Sequence, residues 1–124
     1  PDVRNRLKAI QERDGKLVVI DPRKTQTAKL ANEHHFIKPG TDALFLMAFI
    51  HVLFEENLIN LGRLESFIDG VDDVKSLVQD FSPESVASVT GISAESTRQI
   101  VRDFVAAESA VCYGRVGVSM QAFG

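Results

Sequence analysis

The chain has 124 residues, of which 44% are hydrophobic and 25% charged, a composition typical of one globular domain rather than a disordered segment. The net charge of −3 and the absence of any run of lysine or arginine argue against nucleic acid or an anionic membrane as the main partner. The single cysteine excludes an intrachain disulfide framework, and the longest apolar stretch is too short to span a bilayer. The chain starts at a proline and stops within a glycine-punctuated segment, so we expect an internal piece of a larger protein, folded as a single domain over residues 1–124.

The first third of the chain is predicted to contain a helix, a buried strand and a long polar connection. Asp2 can cap a helix for which Gly15 is a stop signal. The unbroken apolar run at 17–20 is typical of a strand buried on both faces, as in a parallel sheet. Residues 21–40 are predicted to be a long polar connection with one helical turn near 27–31.

The rest of the chain is predicted to be mostly helical, with a second strand near its end. Residues 43–54 are apolar except for His51, which predicts a core helix buried on all sides, with the histidine satisfied inside the core. Further helices are predicted between residues 64 and 105, two of them begun by the capping serines Ser82 and Ser93. The apolar run at 110–113 predicts a second buried strand, in which Cys112 would be an inert core thiol.

Strands that alternate with helices predict an α/β fold with a parallel sheet covered by helices. Two strands are too few to form a stable sheet by themselves. Either a further strand lies unrecognised in this chain, or the rest of the sheet lies in the larger protein.

Polar residues follow the first predicted strand directly, at the edge where open parallel sheets bind ligands. Asp21 can accept hydrogen bonds from ribose hydroxyls there, and Arg23, Lys24 and Thr25 can hold phosphate oxygens or a base. The structural alternative is a turn in which Asp21 bonds to its own backbone and the cations are solvated.

A second candidate site is the segment that opens the apolar helix, Pro39-Gly40-Thr41-Asp42. Free backbone N–H groups at a helix start attract ligand oxygens. The carboxylate of Asp42 can accept two parallel N–H bonds from a planar ring such as guanine. The alternative is an ordinary Thr/Asp helix cap.

We find no pattern that predicts a reaction centre. His34 and His35 are adjacent, so in an extended segment they point to opposite sides, and no further metal ligand is spaced to join them. The sequence also lacks a nucleophile–base pair and a phosphate-cradling glycine loop. It therefore predicts part of a binding site, with no catalytic residue and no metal ligand.

Taken together and in order, these segments resemble the molybdopterin oxidoreductase family, which includes formate dehydrogenases, nitrate reductases and dimethyl sulfoxide reductase. The resemblance covers essentially the whole chain, and the chain is most similar to the formate dehydrogenase-like branch of the family. The residues that carry it are Asp21-Pro22-Arg23-Lys24-Thr25-Gln26-Thr27-Ala28, Ile37-Lys38-Pro39-Gly40-Thr41-Asp42, Phe81-Ser82-Pro83-Glu84 and Gly114-Arg115-Val116-Gly117. Asn32 stands where the family more often has aspartate, and we predict no role for it.

The resemblance implies a Rossmann-like domain that holds the guanine nucleotide end of a molybdopterin guanine dinucleotide, two of which surround one molybdenum or tungsten atom in the family. It places the ribose and guanine portion along Asp21, Pro22, Arg23, Lys24 and Thr25. It places guanine at Gly40, Thr41 and Asp42, and the pterin side at Val116 and Gly117 with Met120 or Gln121. The metal ligand, and the iron–sulfur cysteines of many members, would lie upstream of this region.

We therefore expect the cofactor-binding part of a molybdenum or tungsten oxidoreductase, inactive by itself. Its partners would be the other domains of that enzyme, a small substrate and a redox partner. The alternative is a freestanding α/β nucleotide-binding or interaction module without a redox role. We expect a cytoplasmic protein, or a periplasmic one if an export signal lies upstream of this region.

Overall fold

The computed structural model describes residues 2–121, and the chain divides into two compact units, Pro1–Pro39 and Gly40–Gly124. The first unit contains α1 (Val3–Gln11), β1 (Val18–Ile20), α2 (Gln26–Leu30) and β2 (Glu33–His35). The second contains α3 (Asp42–Glu55), a 3₁₀ helix (Gly62–Phe67), α4 (Val71–Leu77), α5 (Pro83–Thr90), α6 (Ala94–Ala106) and α7 (Val116–Ser119). No helix in the described residues is long and apolar enough to cross a membrane. That the two units together form one domain stays a prediction.

The first helix begins where the sequence predicts and ends earlier than its glycine. The carboxylate of Asp2 accepts a hydrogen bond from the backbone N–H of Asn5 at 3.1 Å, which caps α1. After the helix, Asp14 takes the left-handed conformation (φ 61°). Gly15 is required for a different reason: a Cβ atom there would lie 2.6 Å from Cγ2 of Ile10, so only glycine fits against the end of α1.

The sheet of the first unit consists of two parallel strands joined by α2. β1 is the predicted strand, although it is half-buried rather than fully buried. β2 lies inside the connection that was predicted to be polar and irregular, so that prediction is wrong over Glu33–His35. Its three polar residues give no apolar signal, and backbone pairing with β1 (Val18 opposite Glu33, Ile20 opposite His35) determines the strand instead.

Asn32, for which the sequence predicts no role, connects the elements of the first unit. Its side-chain oxygen accepts hydrogen bonds from the backbone N–H of Leu17 at 2.8 Å and from Nε2 of Gln11 at 2.9 Å. The same Gln11 nitrogen donates to the carbonyl of Leu30 at 2.7 Å. One amide oxygen thus joins the end of α1, the start of β1 and the turn before β2.

The core of the second unit forms where α3, α5 and α6 pack against one another. Its buried residues on these helices are Phe45, Ala48, Val52, Pro83, Val86, Thr90, Thr97, Ile100 and Val101. Phe49 and Phe104 add an edge-to-face contact with ring centroids 5.5 Å apart. α3 is not buried on all sides as predicted, because Leu46 is 37% exposed.

Helix boundaries in the second unit follow local capping chemistry. Ser82 accepts from the N–H of Ser85 at 3.2 Å, and Ser93 accepts from Ser96 at 3.1 Å. Pro83 occupies the first turn of α5, and Gly91 ends that helix in the left-handed conformation (φ 83°). These predicted boundaries are confirmed.

The predicted second strand at 110–113 is wrong. These residues are irregular and exposed, with Val111 85% and Tyr113 79% accessible to solvent. An apolar run forms a strand only beside a pairing partner, and no described strand lies beside this one. Cys112 is consequently exposed, not a buried core thiol as predicted. The described chain is therefore a helix-dominated α/β structure with a two-stranded parallel sheet.

Candidate functional site

The first predicted site lies at the carboxyl end of β1, and part of it is used by the fold. The backbone N–H of Asp21 donates to the carbonyl of His35 at 3.2 Å, which extends the pairing of the two strands by one bond. Oδ1 of Asp21 accepts from the N–H of Arg23 at 2.7 Å, so the predicted turn is present. Oδ2 makes no hydrogen bond with a described residue and is available to a ligand.

The cations beside Asp21 are exposed. The side chains of Arg23 and Lys24 form no ion pair or hydrogen bond with any residue in the range 2–121, and Pro22 between them and the strand is also exposed. Thr25 has a structural role, since its hydroxyl oxygen accepts from the N–H of Ala28 at 3.2 Å and caps α2. The strand end thus presents one carboxylate oxygen and two cations that have no partner within residues 2–121.

His34 and His35, which sequence reasoning left without a ligand role, are half-buried on β2. Nε2 of His34 lies 3.0 Å from the carbonyl oxygen of Asp21 and can only donate to it. His35 contacts the carboxylate of Glu33 at 3.2 Å. A hydrogen bond from Lys16 lowers the pKa of Glu33, and His35 lowers it further. Both histidines are therefore paired with groups of the protein itself, His34 with a backbone carbonyl and His35 with a carboxylate.

The second predicted site is the start of α3, which lacks the expected cap. Thr41 occupies the N-cap position but its side chain makes no capping hydrogen bond to the helix. The first helical bond runs from the N–H of Phe45 to the carbonyl of Thr41 at 3.1 Å, so the preceding N–H groups of the first turn have no helical acceptor. Gly40 is left-handed (φ 83°) with open space around it, so it is there for its backbone conformation.

Asp42, the first residue of α3, is connected to the end of the described chain. Its carboxylate accepts a hydrogen bond from Nε2 of Gln121, 79 residues later. The same nitrogen donates to the carbonyl of Gly117 at 3.2 Å. Val116, at the start of α7, is 69% exposed. The second unit therefore brings Gly117 and Asp42 together through Gln121. Sequence reasoning named Gln121 only as an alternative to Met120, because no local pattern relates positions so far apart.

His51 has a hydrogen-bond partner, as predicted, but it is half-buried at a cleft rather than enclosed in the core. Its Nδ1 lies 2.9 Å from the carbonyl of Val78, and its Nε2 is 3.9 Å from a carboxylate oxygen of Glu55. It lines a cleft of about 250 Å³ that also includes Phe54 and Lys75. A second cleft of about 390 Å³ lies beside the 3₁₀ helix. Neither cleft is lined by a predicted site residue.

A charge cluster joins the three core helices of the second unit. Arg98 on α6 binds Glu55 at the end of α3 (2.5 Å) and Glu84 at the start of α5 (3.1 Å). Arg102 binds Glu56 at 2.8 Å. Hydrogen bonds from Arg98 lower the pKa of Glu84, and those from Arg102 lower the pKa of Glu56. The acids raise the pKa of Arg98 in return. The ion pairs of this cluster connect α6 to the end of α3 and to the start of α5.

Within residues 2–121, no three His, Cys, Asp or Glu side chains are grouped so that they could hold a metal ion. In the first unit, the end of β1 presents a carboxylate and two cations, a combination that suits an anionic, hydroxyl-bearing ligand. In the second unit, the start of α3 separately presents a carboxylate, which suits a planar edge of N–H donors.

Comparison with known proteins identifies a family. The chain matches no protein-family model. Formate dehydrogenase H from Escherichia coli is 35% identical over 119 residues, which are 96% of this chain and 17% of that protein. The molybdopterin-containing subunit of thiosulfate reductase from Salmonella typhimurium is 30% identical over 81% of this chain and 13% of its own length. Both names agree with the resemblance found in the sequence.

A solved structure gives the same result for the fold. Acetylene hydratase from Pelobacter acetylenicus superposes with a TM-score of 0.86 at 32% identity, over 94% of this chain and 16% of that one. The chain therefore spans roughly one sixth of the length of the relatives it matches. The chain belongs to the molybdopterin oxidoreductase family, as the counterpart of one segment of these longer proteins.

Proposed function

We propose that the chain is part of the Rossmann-like cofactor domain of a molybdenum- or tungsten-dependent oxidoreductase, in which it holds the guanine nucleotide end of a molybdopterin guanine dinucleotide. The observation that carries the proposal is the carboxylate of Asp42 in the first turn of α3. When bound, the cofactor would supply two-electron chemistry at its metal. One relative is named a hydratase and others are named dehydrogenase or reductase. Because these names differ, they do not determine the reaction or the substrate, and oxidoreductase activity is part of the proposal.

The chemistry of Asp42 fits a guanine ring. Guanine presents N1–H and the 2-amino group side by side, and a carboxylate can accept both in parallel. Each carboxylate oxygen has two acceptor positions. Gln121 uses one position on Oδ2, so both oxygens of Asp42 keep the capacity to bind the ring.

The residues at the end of β1 fit the sugar and phosphate portion. The free Oδ2 of Asp21 can accept from a ribose hydroxyl while Oδ1 maintains the turn. Arg23 and Lys24 can bind phosphate oxygens without breaking an ion pair to any residue that the structure describes. Thr25 uses its oxygen to cap α2 and still has a hydroxyl hydrogen to donate.

The remaining assignments follow the family. Gly40 and Thr41 would contact guanine through the backbone at the start of α3, and Val116 and Gly117 would lie on the pterin side. We expect no turnover from this chain alone, since the metal ligand, and any iron–sulfur cluster, would be supplied by other parts of the enzyme. A small substrate and a redox partner would meet the enzyme there too.

The proposal predicts that two residues of α3, Asp42 at its start and His51 near its end, differ in their effect on the nucleotide. In the full-length protein that contains this chain, Asp42→Ala is expected to reduce the GMP retained after gel filtration by about tenfold or more, because it removes charge-assisted hydrogen bonds. His51→Ala is the control, since His51 contacts the backbone of Val78 and lies outside the proposed site. Acid hydrolysis and quantification of GMP measure both. Equal loss of GMP from the two variants at equal thermal stability would contradict the assignment.

A further inference from the structure

The side chain of Gln121 reaches the first turn of α3 from the end of the described chain. Its amide nitrogen donates to the carboxylate of Asp42 and, at 3.2 Å, to the carbonyl of Gly117. We propose that Gln121 is a positioning residue that fixes the Asp42 carboxylate for selective recognition of a guanine base. This inference rests on the proposed function and adds to it a residue that makes the site selective for guanine.

The need for such a residue follows from the local geometry of α3. The side chain of a first-turn aspartate such as Asp42 has several rotamers open to it unless a hydrogen bond selects one of them. Two parallel hydrogen bonds to a planar ring require both oxygens of Asp42 to lie in one plane with that ring. A misoriented carboxylate would keep one bond and lose the other.

The amide of Gln121 is itself held in one orientation. A carboxylate and a carbonyl oxygen are both acceptors, so only the NH₂ side of the amide can face Asp42 and Gly117. Both hydrogens of Nε2 are thereby engaged. Gln121 lies four residues after Gly117, so the hydrogen bond to that carbonyl holds the amide against its own segment. The second hydrogen bond, to Asp42, then holds the carboxylate of Asp42 in one orientation at the start of α3.

Gln121 supports the ligand instead of competing with it. It occupies one of the two acceptor positions on Oδ2 of Asp42 and leaves one position there and two on Oδ1. Because the amide is neutral, it orients the carboxylate without cancelling its charge. The charge of Asp42 therefore stays available to the polarised N–H groups of the base.

The test compares two nucleotides that differ by one amino group. The apo form of the full-length protein that contains this chain is prepared from cells unable to make the cofactor, and is titrated with GMP and with IMP. The base of IMP lacks the 2-amino group, so it can give Asp42 one N–H bond instead of two. Asp42→Ala defines how much of the preference for GMP over IMP depends on this carboxylate.

We expect Gln121→Ala to lower the GMP preference by roughly three- to tenfold, the range for loss of one hydrogen bond. Gln121→Glu should lower it at least as far, because two carboxylates repel each other. Gln99→Ala is the matched control: it removes another amide-to-carboxylate bond, from Gln99 to Asp103 at 2.6 Å on α6, and should leave the ratio unchanged. Should Gln121→Ala not fold, the nearly isosteric Gln121→Glu decides the same comparison.

The outcomes separate the two hypotheses. If Asp42→Ala abolishes the preference while both Gln121 variants keep the wild-type ratio, the role of Gln121 is overturned and the proposed function stands. If the wild-type protein shows no preference for GMP, or Asp42→Ala leaves the preference intact, the proposed function fails and the inference about Gln121 fails with it.

Discussion

Asp21 shows how one residue can serve the fold and still be available to a ligand. Its Oδ1 closes a turn with Arg23, as the structural alternative predicts, and its Oδ2 has no partner among the described residues. A strand-end aspartate is recognisable from sequence because an acid directly after an apolar run is a local pattern. Asn32 and Gln121 are not recognisable in this way, since their partners at Leu17 and Asp42 lie 15 and 79 positions away.

Asn32 provides the test at the residue scale. Asn32→Ala removes the acceptor for two hydrogen bonds and should lower the free energy of unfolding by about 1–2 kcal/mol, a typical loss for such bonds. Asn32→Asp keeps an oxygen in the same place and should lose less. Urea denaturation of the chain measures both. Equal destabilisation by the two substitutions would show that the oxygen of Asn32 is not what stabilises the first unit.

At the scale of elements, the sequence predicts what local chemistry determines. Ser82 and Ser93 cap their helices, and Gly91 ends one, because each signal acts within a few residues. β2 could not be predicted, since its polar residues form a strand through backbone pairing with β1. The prediction of a strand at 110–113 is wrong for the opposite reason. These residues have the composition of a strand, but no described strand lies beside them to pair with.

The charge cluster on α6 gives an element-scale prediction that depends on pH. Arg98 and Arg102 lower the pKa values of Glu84 and Glu56 below the ordinary 4.5, so their ion pairs stabilise the fold fully only above that pH. Stability should fall as the pH drops through the lowered pKa values, because the carboxylates then become protonated. Arg98→Met should cost roughly 1–2 kcal/mol at pH 7.

Urea denaturation at pH 7 and again at pH 3 measures this effect. The difference between Arg98→Met and the wild type should shrink at the lower pH, because the carboxylates of Glu84 and Glu56 lose charge as the pH falls through their lowered pKa values. Arg102→Met is the comparison variant, and its effect should be smaller because Arg102 binds one acid and is more exposed than Arg98. A cost of Arg98→Met that stays constant with pH would mean that the arginine acts by packing alone.

At the scale of the whole molecule, the residues that we propose to contact the cofactor are divided between the two units. Asp21, Arg23 and Lys24 belong to the first unit, and Asp42, Gly117 and Gln121 belong to the second. The chain spans roughly one sixth of the length of its relatives, and we predict no catalytic residue in it. The family could be predicted because several short segments occur in a fixed order along the chain. The connection from Gly117 through Gln121 to Asp42, within the second unit, could not be predicted.

The most direct measurement is made on the full-length protein that contains this chain, purified from cells known to make the cofactor. Metal content is determined together with the nucleotide released by acid hydrolysis. The proposed function predicts about two GMP for each molybdenum or tungsten atom, as expected when two dinucleotides surround one metal. Protein with no metal and no GMP would contradict it, and would favour a nucleotide-binding or interaction module with no redox role.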